Sequence, residues 1–232
     1  LKHSEEKSPT TQPLRPGNGT ERVLKLLRDA IRDGQFSSGQ RLIEADLMQT
    51  FNVTRGPLRE SLRCLSSEGV VDIVPNRGAV VRSFSRQEMK DLFRIREVVE
   101  GLAARQAAEA MADAKTQKKF ESSYQKLIGS RARSAASFSK ENIVFHELVL
   151  SHARNSQLTD LMRQLQLPLI RFQIRASIDD SYRDASRLEH EAVGQAILEG
   201  AADKAERLMR QHLRQAARWV FQGIVTGHFR LS

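Results

Sequence analysis

The chain has 232 residues, 40% of them hydrophobic, with a formal net charge of +9 and a pI near 10.1. That length allows one large or two ordinary domains, each with its own core, and no apolar run approaches the roughly 20 residues that a membrane-spanning helix needs. The basic balance favours a polyanionic partner, the low aromatic content argues against a surface that stacks unpaired bases, and a single cysteine, Cys64, excludes an intrachain disulfide framework and fits a reducing compartment.

No secretory signal is evident, so a cytoplasmic location is expected. Leu1 stands where an initiator methionine would, which suggests a start beyond the natural one. Residues 1–19 mix Lys, Glu, Ser, Thr, Pro and Gly with little that is apolar, and read as a flexible arm. From Glu21 the pattern turns helical: Val23, Leu26, Leu27, Ala30 and Ile31 form an apolar stripe that Gly34 closes. Gln35 to Arg41 reads as a turn, and a short helix runs from Ile43 through Leu47 and Met48 to about Phe51.

A second helix then carries two faces. Leu58, Leu62 and Leu65 fall at i, i+4 and i+7 for a core, while Arg55, Arg59 and Arg63 recur every four residues on another side. Thr54 is placed to cap its start with the hydroxyl, Pro57 lies in its first turn, and Gly69 ends it. Two helices joined by a tight connection, the second basic, make a helix-turn-helix whose second member suits a major groove. The plain alternative for this stretch is a solvated surface helix. After Gly69 the period drops to two: Val71 and Ile73, then Pro75-Asn76-Arg77-Gly78, then Ala79 to Arg82 predict a hairpin, a wing whose Arg77 could enter a minor groove or which merely covers the core.

Leu42 to Leu47, Val53 to Leu62, Glu68-Gly69 and Pro75 to Ala79 together resemble the N-terminal winged-helix domain of the GntR family of bacterial transcription regulators, over about residues 20–83. The resemblance implies double-stranded DNA as partner and puts Thr54, Arg55 and Arg59 at the DNA with Gly78 at the wing tip; Gly56, Arg63 and Arg77 complete the assigned set. One departure is Ala45, where the family often has an arginine, so a contact made by relatives is expected to be missing.

Residues 84–232 show no strand signal. Ser85-Arg86-Gln87-Glu88 is a capping box, and Met89, Leu92, Phe93, Val99 and Ala103 continue a helix to about Met111. Further helices are predicted at about 115–130, 137–154, 156–177, with a kink at Pro168, 179–199 and 201–227. The fold class is mainly α: a winged helix-turn-helix followed by an all-helical bundle with room for a small ligand. Asn142 and His146 share a helical face at i and i+4, and His146, His190 and His212 each lie among apolar residues of their helices. All three could converge in one interior and bind a divalent transition metal, or they are ordinary part-buried polar residues.

This half resembles the FCD ligand-binding domain of the FadR subgroup: Phe93-Arg94-Ile95-Arg96 with Glu100, Phe145-His146, Glu189 to Ala192, and Ala205 to His212. The resemblance implies a metal, zinc or nickel, held by His146, His190, His212 and the residue at 142, beside a cavity for a small carboxylate effector. In metal-binding members that fourth position is an aspartate; here Asn142 offers a neutral and weaker donor. Glu141 and Glu147 lie about 100° around the helix and are not expected to substitute. Arg96 falls near the effector cavity by resemblance, where it could grip a carboxylate or pair with Glu100. The leading expectation is a homodimeric regulator, a repressor, bound to a near-palindromic operator and tuned by an organic acid; it is not expected to be an enzyme. The competing readings are a metal-dependent hydrolase using the three histidines and a helical interaction module with a vestigial site.

Overall fold

The computed structural model describes residues 18–32, 34–129, 135–165 and 179–225, and the chain divides into two compact units between Val81 and Arg82. The expected arm falls outside the described residues, except that Asn18 and Gly19 already belong to the first helix.

The first unit runs α1 (Asn18–Arg32), β1 (Arg41–Leu42), α2 (Glu44–Phe51), α3 (Arg55–Ser67), β2 (Val71–Val74) and β3 (Gly78–Val81). Its core is the predicted stripe of α1 (Val23, Leu27, Ala30, Ile31), Leu47 of α2 and the leucine face of α3, closed by Val71 and Val81. Each buried leucine stabilises the unit by roughly 1.5–3 kcal/mol relative to exposure. Ser61, buried on the same side of α3, donates to Thr20 O at 3.0 Å and to Pro57 O at 2.8 Å. Arg28 clamps α1 to the far end of α3 through two bonds to Glu68, at 2.7 and 3.0 Å.

Two local expectations are corrected. Arg41–Leu42, placed in or beside a turn by the sequence, is a strand that joins the hairpin in the order β1-β3-β2. Two residues are too few to display a period, and the pairing comes from distant partners: Gly39 N–H to Val81 O and Val81 N–H to Gln40 O, both 2.9 Å. Thr54 has the extended backbone of a cap, but its hydroxyl makes no cap bond. A capping side chain bonds the second or third helical N–H, and the third position here is Pro57, which has none. The other end behaves as expected: Gly69 takes φ +65°, and Gly69 N–H to Ser66 O and Val70 N–H to Leu65 O close the helix.

The second unit holds α4 (Arg86–Glu109), which tightens into a 3₁₀ turn at Ala110–Ala112, then α5 (Ala114–Gly129), α6 (Ala135–His152), α7 (Ser156–Gln164), α8 (Asp180–Leu198) and α9 (Ala202–Val225). The predicted capping box is formed, with Ser85 N–H to Glu88 Oε2 at 2.8 Å and Glu88 N–H to Ser85 Oγ at 3.2 Å. The two longest described helices, α4 and α9, pack along each other, and the Arg210 side chain of α9 lies over Gly101 of α4. A methyl group on Gly101 would lie 2.7 Å from the Arg210 side chain. Phe145 and Val149 seat α6 on the bundle, and Phe120 stacks on Tyr124 in α5. The expected continuation of α7 and its kink at Pro168 lie outside the described residues. No described helix is long and apolar enough to cross a membrane.

Candidate functional site

In the first unit, α3 sits leucine side down and arginine side out. All seven residues assigned to DNA, Thr54, Arg55, Gly56, Arg59, Arg63, Arg77 and Gly78, are exposed. Arg77 stands in the turn between β2 and β3, where Asn76 and Gly78 take φ +62° and +75°, backbone that suits these two residue types. The arginines are not bare: Arg59 Nε lies 2.9 Å from Glu44 Oε1, Arg55 Nε lies 4.0 Å from the same carboxylate, and Arg63 meets Glu60 at 3.4 Å. Glu44, on α2, is a participant that periodicity did not mark, because its link to Arg59 crosses from one helix to the next.

In the second unit the three histidines come together. α6 supplies Asn142 and His146, α8 supplies His190 and α9 supplies His212; all three imidazoles are buried, with candidate ligand nitrogens within 4.8 Å of one another. His190 Nε2 lies 3.2 Å from His212 Nε2. Two nitrogens about 2.0–2.1 Å from one tetrahedral zinc would be about 3.3 Å apart, so this pair already has the spacing of neighbouring ligands.

Each ring is braced from outside. His212 Nδ1 meets Glu189 Oε2 at 2.8 Å, which directs Nε2 inward. Glu100 Oε2 lies against His146 Nδ1, while Glu100 Oε1 accepts from Arg96 Nε at 2.8 Å, with the carboxylate and guanidinium both almost wholly buried. Phe145 stacks on His190, ring centroids 4.0 Å apart. Asn142 Oδ1 is buried and accepts no hydrogen bond among the described residues. An unpartnered buried acceptor on the helical face that carries His146 is a group that a cation satisfies, so the donor set fits a divalent metal.

The internal pair Arg96–Glu100, one of two roles open to Arg96, is therefore formed. Among the described residues its Nη groups make no hydrogen bond, and its guanidinium lies over Phe93 at 5.2 Å. A cavity of about 350 Å³ lies between α5, α6 and α8, bounded by Tyr124, Phe138, Phe145, Arg187 and His190 among others; neither Arg96 nor Asn142 lines it. The partners Glu100 and Glu189 lie within quoted sequence motifs, but their pairing with His146 and His212 spans helices and has no local signal.

A helix-turn-helix with a hairpin wing, joined in one chain to a helical bundle, defines a two-domain DNA-binding transcription regulator. Residues 19–81 match the model of the bacterial regulatory proteins of the gntR family, residues 91–215 match the FCD domain, and the chain belongs to the GntR family of transcription regulators, with an FCD domain as its second half. It is similar to the HTH-type transcriptional repressor RspR of Escherichia coli K12, 25% identical over 210 residues that cover 90% of this chain and 91% of the relative. A gluconate operon transcriptional repressor of Bacillus licheniformis is 27% identical, covering 76% of this chain and 74% of that one. Among solved structures, a GntR transcriptional regulator from Rhodococcus sp. RHA1 superposes with a TM-score of 0.67 at 25% identity, over 88% of this chain and 97% of that one. These relatives are regulators, and the hydrolase reading of the three histidines is set aside.

Proposed function

We propose that the protein is a homodimeric repressor whose operator affinity is set by a small organic acid bound beside a divalent metal in the FCD domain. The observation that carries this reading is the His190–His212 spacing of 3.2 Å, with His146 at hand and Asn142 Oδ1 without a partner. Asn142, His146, His190 and His212 hold the metal. Bound there, the ion supplies positive charge and a coordination position for a carboxylate oxygen.

The charges around the cluster favour an anionic effector. The neighbouring Arg96 and Glu100 cancel one another, and Asn142 brings no charge where metal-binding relatives place an aspartate. A divalent ion on three neutral imidazoles and an amide then gains from its ligands only the carboxylate that Glu189 places on His212. An anion completes the balance, and the Nη groups of Arg96 remain to donate to it. In the first unit, Thr54, Arg55, Gly56, Arg59, Arg63, Arg77 and Gly78 form the DNA face, and the two domains are assigned to residues 20–83 and 84–232.

Dimerisation is supported by α4, where Ile95, Val98 and Leu102 stand 44%, 51% and 36% exposed at i, i+3 and i+7. Such a stripe suits a self-complementary helix face. Two copies would read the two halves of a near-palindrome, which one recognition helix cannot do. The reading places the protein in the cytoplasm, with its operator. Elemental analysis of the purified protein, followed by a thermal-shift screen of organic acids with and without zinc or nickel, tests it; no metal uptake and no acid-dependent shift would refute the proposed control.

A further inference from the structure

The charge of this chain is in an unexpected place. Residues 1–81 carry 12 Lys+Arg against 10 Asp+Glu, a net of +2, whereas residues 82–232 carry 25 against 18, a net of +7. The unit that reads DNA is nearly neutral, and the bundle is the basic one. Within the bundle, α5 has four of the chain's ten lysines, Lys115, Lys118, Lys119 and Lys126, and no arginine.

These lysines share a face. At about 100° per residue, Lys115, Lys126 and Lys119 fall within about 40° of arc, Ser122 and Lys118 extend it on one side and Ser123 on the other. All six are exposed, the opposite side of α5 buries Thr116, Phe120 and Tyr124, and the helix's one carboxylate, Glu121, lies outside the arc. None of the four ammonium groups makes an ion pair among the described residues. A groove beside them is bordered by Lys115, Lys118, Lys119, Ser122, Ser123 and His152, without a carboxylate. Nearby Asp113 is already engaged by Arg154 and Thr116.

We infer that the lysine face of α5 is a second contact surface for duplex DNA, gripping phosphates that flank the sequence read by α3. The inference rests on the DNA-binding reading of the first unit. Lysine suits such a contact, because a compact charge on a flexible stem can meet a phosphate of any sequence, whereas the α3 arginines can form paired bonds to base edges. From Lys115 to Lys126 the helix rises about 16 Å, enough to meet two or three phosphates along a strand. No aromatic side chain shares the arc, so stacking on unpaired bases is not its use.

The test compares full-length protein with the variant Lys115→Gln/Lys118→Gln/Lys119→Gln/Lys126→Gln, titrated against a duplex limited to the operator and against one extended on both sides. On the extended duplex the variant should bind roughly 10- to 100-fold more weakly near 0.15 M salt and lose about 2–3 units of slope in log K against log salt, at about 0.9 per phosphate released. On the short duplex both proteins should bind alike, and Lys115→Arg/Lys118→Arg/Lys119→Arg/Lys126→Arg should retain the wild-type slope on the long one. Unchanged slopes on both duplexes would overturn the inference, as would equal losses on both, since the lysines would then not act on flanking phosphates. Binding of wild-type protein to the short duplex reports the α3 reading alone, so a failure there is kept apart.

Discussion

Arg59 Nε lies 2.9 Å from Glu44 Oε1, so the central arginine of the recognition helix is held by a carboxylate from the helix before it. The pair is open to water, with 57% of the Arg59 side chain exposed, and contributes little to stability, about 0–1 kcal/mol. Its consequence lies at the DNA. A carboxylate on this face repels phosphates in general and fixes the direction of the guanidinium. Glu44→Gln should therefore bind scrambled duplex several-fold more tightly and lose discrimination for the operator. Arg59→Ala should cost about 1–3 kcal/mol on the operator and leave the melting temperature nearly unchanged. Anisotropy titrations on both duplexes at one salt concentration check this; an operator affinity indifferent to Arg59 would remove α3 from the interface.

The proposed fourth ligand, Asn142, offers a gain-of-affinity experiment. Asn142→Asp restores a charged oxygen on the face shared with His146 and should tighten metal binding, on the order of 10–100-fold, as measured by competition with a chromophoric chelator. His190→Ala should abolish stoichiometric metal in elemental analysis. If Asn142→Asp left affinity unchanged, residue 142 would not touch the ion.

Val98 is the midpoint of the exposed apolar stripe on α4. Val98→Glu places a charge where two copies would meet, at little cost to an exposed helical site. Sedimentation velocity should show a shift from dimer to monomer at micromolar concentration, with operator affinity falling in step. A variant that stays dimeric would move the interface elsewhere.

The joint before α5 makes an acid-range prediction. The Thr116 hydroxyl, the Arg154 guanidinium and the Lys115 N–H hold the Asp113 carboxyl down to about 2 from its ordinary 3.8. A carboxyl lowered in the folded state contributes stability that is present above about pH 4 and is lost as pH falls toward 2. Asp113→Asn should be slightly less stable at neutral pH and should lose less further stability between pH 4 and 2. Added salt should shrink the difference, because the Asp113 side chain faces solvent, 46% of it exposed. Parallel denaturation curves across pH for the two proteins check it.

Local pattern carries much of this protein. The stripes of α1 and α3, the hairpin punctuated by Asn76 and Gly78, and the capping box at Ser85 are all short-range signals, and the structure contains them. What lies between elements was not legible. β1 is defined by its partners rather than by its own two residues. Thr54 has the backbone of a cap without its side-chain bond, and one of the two N–H groups that such a bond uses is missing at Pro57. Glu44 and Glu189 take their roles from helices that meet only in three dimensions. The apolar flanks of His146, His190 and His212 and the resemblance point to their convergence, but their spacing and the unpartnered oxygen of Asn142 depend on how three helices pack.

On the proposed reading, chemistry at the histidine cluster governs what the arginine helix does. The most direct measurement is operator affinity, on a duplex selected from a random pool, for metal-loaded protein with and without the organic acid that shifts its melting temperature. Operator affinity should change by about 5- to 150-fold, typical of allosteric coupling, in the wild type and should not change in His190→Ala. An acid that binds the metal-loaded wild type and leaves operator affinity unchanged would contradict it.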